Sequence, residues 1–263
     1  MKLDLQDKVA VVTGGSRGIG LATVKLLIDE GMQVMTASRR VTDELSATSA
    51  VPFTVDLTTE DGPRRLIDAA VSHFGGIDVL VNNVGIGDTD DVIRGATQDL
   101  ATLTDEAWRH TFDLHFYTAL RATRAALPAL LERTGVVVNV SSAGARIVSA
   151  GPADYNVAKA ALNALTKVIS EQYAAQGVRA ITISPGPVST GVWTDPDGMI
   201  GRLAQIQGVE HAAFAAQLVE GLGAATGRLS TPEEIARSIA FAASPNNITG
   251  NELLVDGGIV KNL

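Results

Sequence analysis

The 263-residue sequence predicts the α/β class: a single doubly wound parallel sheet with helices on both faces. Three observations carry this. Short β-branched apolar runs alternate with longer runs at helical spacing. The short runs are continuously apolar, as in strands buried on both faces, rather than alternating. No linker, repeat or change of composition divides the chain, so residues 1–263 read as one domain.

The elements follow in order. Val9-Ala10-Val11-Val12 is a buried strand, ended by a glycine-rich turn. A helix over 19–30 places Ile19, Ala22, Leu26 and Leu27 on one side and stops at Gly31. Strands over 33–37 and 52–55, a helix over 60–74 and a strand over 77–81 come next. Residues 105–132 are mostly helix, with Pro128 predicted to kink or stop it. A fifth strand covers 136–140, a long helix 153–176, a sixth strand 178–183, a helix 232–243 and a last strand 252–255. Two stretches break the alternation, 85–104 and 186–228. Both follow strand C-termini, where ligands bind in open α/β sheets. The second is too long for a plain loop and is expected to be a substrate lid with its own helices.

Composition removes several classes. Apolar residues at 46% and charged ones at 19% describe a chain that folds. There is no Cys, which excludes disulfides, thiolate catalysis and Cys-based metal sites. The net charge of −8 disfavours general binding to nucleic acid or anionic membranes. No run approaches the ~20 apolar residues of a membrane span, and a cytoplasmic location is expected. His73, His110 and His211 lack metal-ligand spacing, and no metal is expected.

The turn Thr13-Gly14-Gly15-Ser16-Arg17-Gly18-Ile19-Gly20 joins strand one to helix one. Its glycines permit a tight turn and close approach of backbone to a pyrophosphate, with the helix N-terminus offering N–H groups. Gly14, Ser16, Arg17, Gly18, Ile19 and Gly20 are the candidate phosphate contacts. At the end of strand two, where an NAD site usually carries a carboxylate, stand Ala37-Ser38-Arg39-Arg40. A carboxylate would repel a 2′-phosphate, whereas arginine pairs with it. Ser38 and Arg39, with Arg17, therefore predict NADP(H) in preference to NAD(H).

Tyr155 and Lys159 lie four apart at the start of the long helix, on one face. Ser142 follows strand five, at the same sheet edge as the glycine turn. In these residues the sequence resembles the short-chain dehydrogenase/reductase family in its single-domain, Rossmann-type form. The likeness runs from about Lys8 to Gly258. It includes the glycine turn, Asp56-Leu57, Asn82-Asn83-Val84-Gly85, Ser141-Ser142, Tyr155-Asn156-Val157-Ala158-Lys159, Pro185-Gly186, Thr190 and Val255-Asp256-Gly257-Gly258. The end of the chain is similar to 3-oxoacyl-carrier-protein reductase-like members.

The resemblance implies an NADP(H)-dependent oxidoreductase of a carbonyl/alcohol pair. Tyr155 would exchange the proton, Lys159 would lower its pKa and hold the nicotinamide ribose, and Ser142 would bind the substrate oxygen. Asp56, Leu57, Asn83 and Gly85 would border the adenosine, and Pro185, Gly186, Val188 and Thr190 the nicotinamide. A homo-oligomer, tetramer or dimer, is implied, with helices 105–131 and 153–173 as interface. Two departures stand out. Val84 replaces an Ala, and His115 stands where the family has an Asn that holds a water in the proton relay. An imidazole can donate and accept, and its ordinary pKa of ~6.5 lies inside the working range, so His115 joins the candidate catalytic set. The same change is the one feature favouring a non-catalytic, NADP-binding redox sensor. A nucleotide-sugar epimerase or dehydratase shares the Tyr and Lys but needs a larger substrate domain. Arg146, Ile147 and Val148, with Val192, Trp193, Met199, Ile200, Leu203, Ile206, Phe214, Leu218 and Leu222, are expected around an apolar cleft.

Overall fold

The structure is a computed structural model that describes residues 2–85, 93, 99–148 and 151–261. Among these, the strands are β1 (Val9–Thr13), β2 (Gln33–Ser38), β3 (Val51–Thr54), β4 (Val79–Asn82), β5 (Val136–Val140), β6 (Arg179–Pro185) and β7 (Asn251–Val255). They form one sheet in the order β3-β2-β1-β4-β5-β6-β7, and every pairing is parallel. The helices are α1 (Gly18–Asp29), α2 (Asp43–Ser46), α3 (Gly62–Phe74), α4 (Asp105–Phe112), α5 (Thr118–Arg133), α6 (Ala153–Tyr173), α7 (Gly191–Thr194), α8 (Met199–Gln207), α9 (His211–Gly221) and α10 (Pro232–Ala243).

Successive strand residues face opposite sides, and the core divides accordingly. Ala10 and Val12 of β1 pack with Val24 and Leu27 of α1 and with Ile235 and Ile239 of α10. Val11 packs on the other face, with Leu66 and Ile67 of α3 and Ala126 and Leu130 of α5. Each large aliphatic side chain so buried contributes roughly 1.5–3 kcal/mol. The doubly wound arrangement is thus the one the continuous apolar runs require. Winding reverses between β1 and β4, and this reversal opens a crevice at the C-terminal edge.

Local differences from the sequence reading have physical causes. The helix expected over 105–132 is two helices joined by a π-helical turn, Asp113–Tyr117. Pro128 does not stop α5, which continues to Arg133. The lost N–H bond is offset by burial of Ala122, Ala126, Ala129 and Leu130 against the sheet and α3. The segment after β6 does carry helices, α7 to α9, with a small core of their own. Ile200, Ala204 and Phe214 are buried there against Trp193, Met199, Leu203 and Leu218. Those side chains hold the segment together. Ile206 is 65% exposed on its outside. The expected ligand-edge stretch 85–104 lies largely outside the described residues.

A chain of buried polar side chains crosses the central strands. Asn82 Nδ2 donates to Asn139 Oδ1 (2.9 Å) and to Thr123 Oγ1 (3.1 Å). Asn139 Nδ2 donates to Thr166 Oγ1 (2.8 Å), which in turn shares a hydrogen with Thr182 (2.7 Å). Asn82 and Asn139 are register partners on β4 and β5, so strand pairing alone brings them together. The chain fixes β4, β5, β6 and α6 relative to one another just below the sheet edge. Replacing Asn139 with Ala strands partners on both sides. Urea unfolding should show a loss of about 2 kcal/mol or more; an unchanged midpoint would mean the chain adds nothing to stability.

Candidate active site

The glycine turn leaves β1 at the point where the winding reverses. Gly14 has φ +73° and Gly18 φ +56°, conformations that side chains oppose. A Cβ on Gly20 would lie 2.1 Å from the Gly14 carbonyl oxygen, so the turn closes only on glycine. Asn83 braces it from β4: its Nδ2 donates to the Thr13 and Gly14 carbonyls at 3.0 and 3.2 Å. Thr13 Oγ1 accepts from the N–H groups of Asn83 and Val84. Thr42 Oγ1 donates to the Ser16 carbonyl at 2.9 Å. At the start of α1, Arg17 makes no side-chain capping bond, which leaves the helix N-terminus to be satisfied from outside. A Cβ on Gly18 would meet Thr190 Cγ2 at 3.1 Å, so Thr190 and the glycine turn form two sides of one cradle.

At the end of β2, Arg39 and Arg40 are exposed. Ser38 Oγ donates to the Arg40 carbonyl at 2.6 Å, which shapes the corner. Asp56, beyond β3, accepts from the Thr58 N–H and hydroxyl at 2.9 and 2.7 Å. These bonds hold its carboxyl below the ordinary range, with a smaller contribution from the Arg39 charge. Leu57 is buried, and its carbonyl accepts from Thr118. Beyond β6, the Gly186 N–H donates to the Val255 carbonyl at 3.1 Å. The buried Val188 bridges to Ser230. Pro185, Gly186, Val188 and Thr190 therefore run along the sheet edge, and Gly85 ends β4's exit at the same edge.

Ser142, Tyr155 and Lys159 come together here. Ser142 Oγ accepts from the Gly144 N–H at 3.0 Å and shares a hydrogen bond with the Tyr155 hydroxyl. Lys159 is 3% exposed, and its Nζ donates to the Val140 carbonyl at 2.9 Å and lies 5.8 Å from the Tyr155 ring centre. Asp154 fixes the start of α6: it accepts from Thr111 Oγ1 at 2.5 Å and from the Tyr155 N–H at 2.9 Å. Burial pushes the Tyr155 phenol above its ordinary value, and the bond to Ser142 only partly opposes it. Burial also lowers Lys159 to about 8. The expected lowering of Tyr155 by Lys159 is thus not the state of the free protein. There the phenol keeps its proton, a form suited to donation.

His115 sits on the π turn, 4% exposed. Its ring meets the Tyr155 ring edge to face, with centres 4.9 Å apart. Its Nδ1 has no hydrogen-bond partner among the described residues. The expectation that this imidazole titrates in the working range is overturned. Burial first, then the Lys159 charge, hold its pKa well below the ordinary value. His115 is a neutral ring beside the phenol. His211, by contrast, bonds the Trp193 carbonyl at 2.9 Å and ties α9 to α7.

Arg146, expected around the cleft, is held in an ion pair. Its guanidinium pairs with Glu252 of β7 at 2.5 Å. The sequence reading passed over Glu252, Asp154 and the Asn82–Asn139 pair. The signal for the last was available, since Asn139 interrupts Val136-Val137-Val138 at the depth where β4 ends in Asn82.

The sheet, the glycine turn at its reversal and the helices on both faces define a Rossmann-type nucleotide-binding fold. The model of a protein family described as enoyl-(acyl carrier protein) reductase matches residues 14–260. The chain belongs to the short-chain dehydrogenase/reductase family of oxidoreductases. It is 31% identical over 270 residues to a 3-oxoacyl-[acyl-carrier-protein] reductase of Vibrio cholerae, covering 98% of this chain and 99% of that protein. Among solved structures, the L-sorbose reductase of Gluconobacter frateurii, complexed with NADPH and L-sorbose, is 28% identical over the full length of both chains, with a TM-score of 0.89. An NADPH-bound short-chain oxidoreductase of Pseudomonas aeruginosa, described as containing an atypical catalytic centre, is 31% identical. That match covers 98% of this chain and 100% of the other, with a TM-score of 0.83. Among the described residues no helix is long and apolar enough to cross a membrane, and no group of His, Cys, Asp and Glu side chains could hold a metal.

The neutral state of His115 has a direct check. Its imidazole proton resonances should show no titration at the ordinary histidine value of ~6.5. A midpoint near the ordinary ~6.5 would mean that the ring is solvated and not stacked on Tyr155.

Proposed function

We propose that the protein binds NADP(H) and interconverts a carbonyl and its alcohol, with Tyr155 exchanging the proton. The observation that carries this is the meeting of Ser142, Tyr155 and Lys159 at the sheet edge that also carries the glycine turn. The turn's two positive-φ glycines, the helix N-terminus without a side-chain cap and the exposed Arg17 and Arg39 suit a dinucleotide with a 2′-phosphate. The NADPH complexes of two similar proteins support the same choice. Gly14, Ser16, Arg17, Gly18, Ile19 and Gly20 would hold the phosphates, and Ser38 and Arg39 the 2′-phosphate. Asp56, Leu57, Asn83 and Gly85 would border the adenosine. Pro185, Gly186, Val188 and Thr190 would border the nicotinamide, and Tyr155 and Lys159 its ribose.

When bound, the cofactor supplies or accepts a hydride. The chain's own residues do the rest. Ser142 orients the substrate oxygen and donates to the charge that develops there. Tyr155 passes its phenolic proton to that oxygen in reduction and takes one back in oxidation. A positive Lys159 makes the phenol easier to ionise and so speeds proton release. The neutral His115 packs on the phenol and fixes its ring. Its Nδ1, which has no partner among the described residues, can hold a water of a relay toward Lys159. The named activities of relatives span acyl thioester and sugar substrates, which supports the carbonyl/alcohol class as a whole. The exposed Tyr117, Val157 and Val168, on the π turn and α6, support self-association through these helices.

Tyr155→Phe removes only the ionisable hydroxyl. Turnover of the best carbonyl found in an NADPH-consumption screen should fall by roughly 10²–10⁴. NADPH affinity should stay within about twofold. Retained turnover would exclude Tyr155 as the donor. Lys159 carries its charge below about 8 and loses it above. The reductive kcat/KM should therefore decline as pH rises through that value, and Lys159→Arg should move the decline to higher pH.

Cofactor choice is checked by calorimetry. NADPH should bind at least about tenfold tighter than NADH, a difference of about 1.4 kcal/mol. Arg39→Asp should erase the preference by placing a like charge against the 2′-phosphate. Equal affinities in the unaltered protein would remove the assignment.

A further inference from the structure

Glu252 is a carboxylate on the edge strand β7, and its side chain is only 9% exposed. Oε2 accepts from Arg146 Nε at 2.6 Å and lies 2.5 Å from Arg146 Nη2 in the ion pair. Oε1 accepts from Ser184 Oγ at 2.6 Å and from Asn163 Nδ2 at 3.0 Å. Three hydrogen-bond donors, one from each of three separate segments, surround this largely buried carboxylate. Such charge-assisted bonds are short, strong and directional.

Each segment leads to the candidate active site. Arg146 closes the short 3₁₀ turn that begins at Ser142. Its N–H donates to the Ala143 carbonyl, the Ala145 N–H donates to the Ser142 carbonyl, and Ser142 Oγ accepts from the Gly144 N–H. Asn163 follows Lys159 by four residues and Tyr155 by eight, on the same face of α6. Ser184 is fully buried, one residue before Pro185. The carboxylate therefore joins the turn bearing Ser142, the helix bearing Tyr155 and Lys159, and the strand that runs into the segment 185–190. Glu252 itself is remote from chemistry, on the strand furthest from the glycine turn in the sheet order.

We propose that Glu252 and Arg146 are positioning residues for Ser142, the ion pair holding its turn in place against the helix that carries Tyr155 and Lys159. The inference rests on the catalytic reading of Ser142 given above. Without the guanidinium the turn retains only its own backbone bonds. Without the carboxylate charge, Arg146, Ser184 and Asn163 compete for a single neutral acceptor.

Steady-state kinetics in two backgrounds tests this. Arg146→Ala and Glu252→Gln are each made in the unaltered protein and in Ser142→Ala. In the unaltered protein each should lower kcat by about tenfold, the scale of a small misplacement of a reacting group. KM for NADPH should stay within about twofold. Arg146→Lys, which keeps a cation, should recover part of the loss. In the Ser142→Ala background the same changes should cost less than about twofold, because the residue they position is gone. Equal losses in both backgrounds would overturn the proposal, since a general loosening of the fold costs the same with or without Ser142. If Ser142→Ala is impaired and Arg146→Ala is not, the positioning role alone falls. If Ser142→Ala turns over at the unaltered rate, the catalytic reading of Ser142 falls and takes this inference with it.

Discussion

A parallel sheet sends all its strands out through one edge, and the rest of this molecule depends on that constraint. Because winding reverses between β1 and β4, the helices that follow them pass to opposite faces and leave the edge open between them. The glycine turn, Asn83, Ser142 and the segment after β6 all leave through this edge. None is close to the others in sequence. The buried chain from Asn82 through Asn139 to Thr166 and Thr182 then fixes the strands carrying them at one height. Interior polar groups cost stability when left unpaired; here the amide N–H groups and hydroxyls are joined into a chain that the strand register brings together, while Asn82 Oδ1 has no partner among the described residues.

Burial does much of the chemistry's preparation. Lys159 and His115 are buried and Tyr155 is partly buried, and each responds in the direction that favours its neutral form. The phenol keeps its proton, the ammonium is easier to neutralise, and the imidazole stays uncharged. A charged imidazole at the Tyr155 ring would add a second cation beside Lys159. The buried geometry prevents it. His115 therefore differs from the family's amide less in charge than in shape, because both are neutral groups that can donate and accept.

Much of this was legible in the sequence. Continuous runs this short and this rich in β-branched residues point to strands buried on both faces, as in parallel sheets. The glycines of residues 13–20 are diagnostic because positive φ and the close approach at Gly20 leave no alternative. What could not be read concerns groups brought together by packing. The π turn at Asp113–Tyr117 has no pattern of its own, yet it sets the rotation that brings His115 to Tyr155. Arg146 looked like a substrate contact because it follows Ser142 closely. Its long side chain instead reaches Glu252, 106 residues away. Side-chain pKa values were legible only as ordinary values, because burial is a property of the fold.

The central claim is that hydride passes between a nicotinamide and a carbonyl held at this edge. NADPH carrying deuterium at the transferring position, incubated with the protein and an accepted ketone, tests it most directly. Mass spectrometry should find the product alcohol one mass unit heavier, with the label on the carbinol carbon. An alcohol formed without label, or NADPH bound with no carbonyl of any class reduced, would contradict the account.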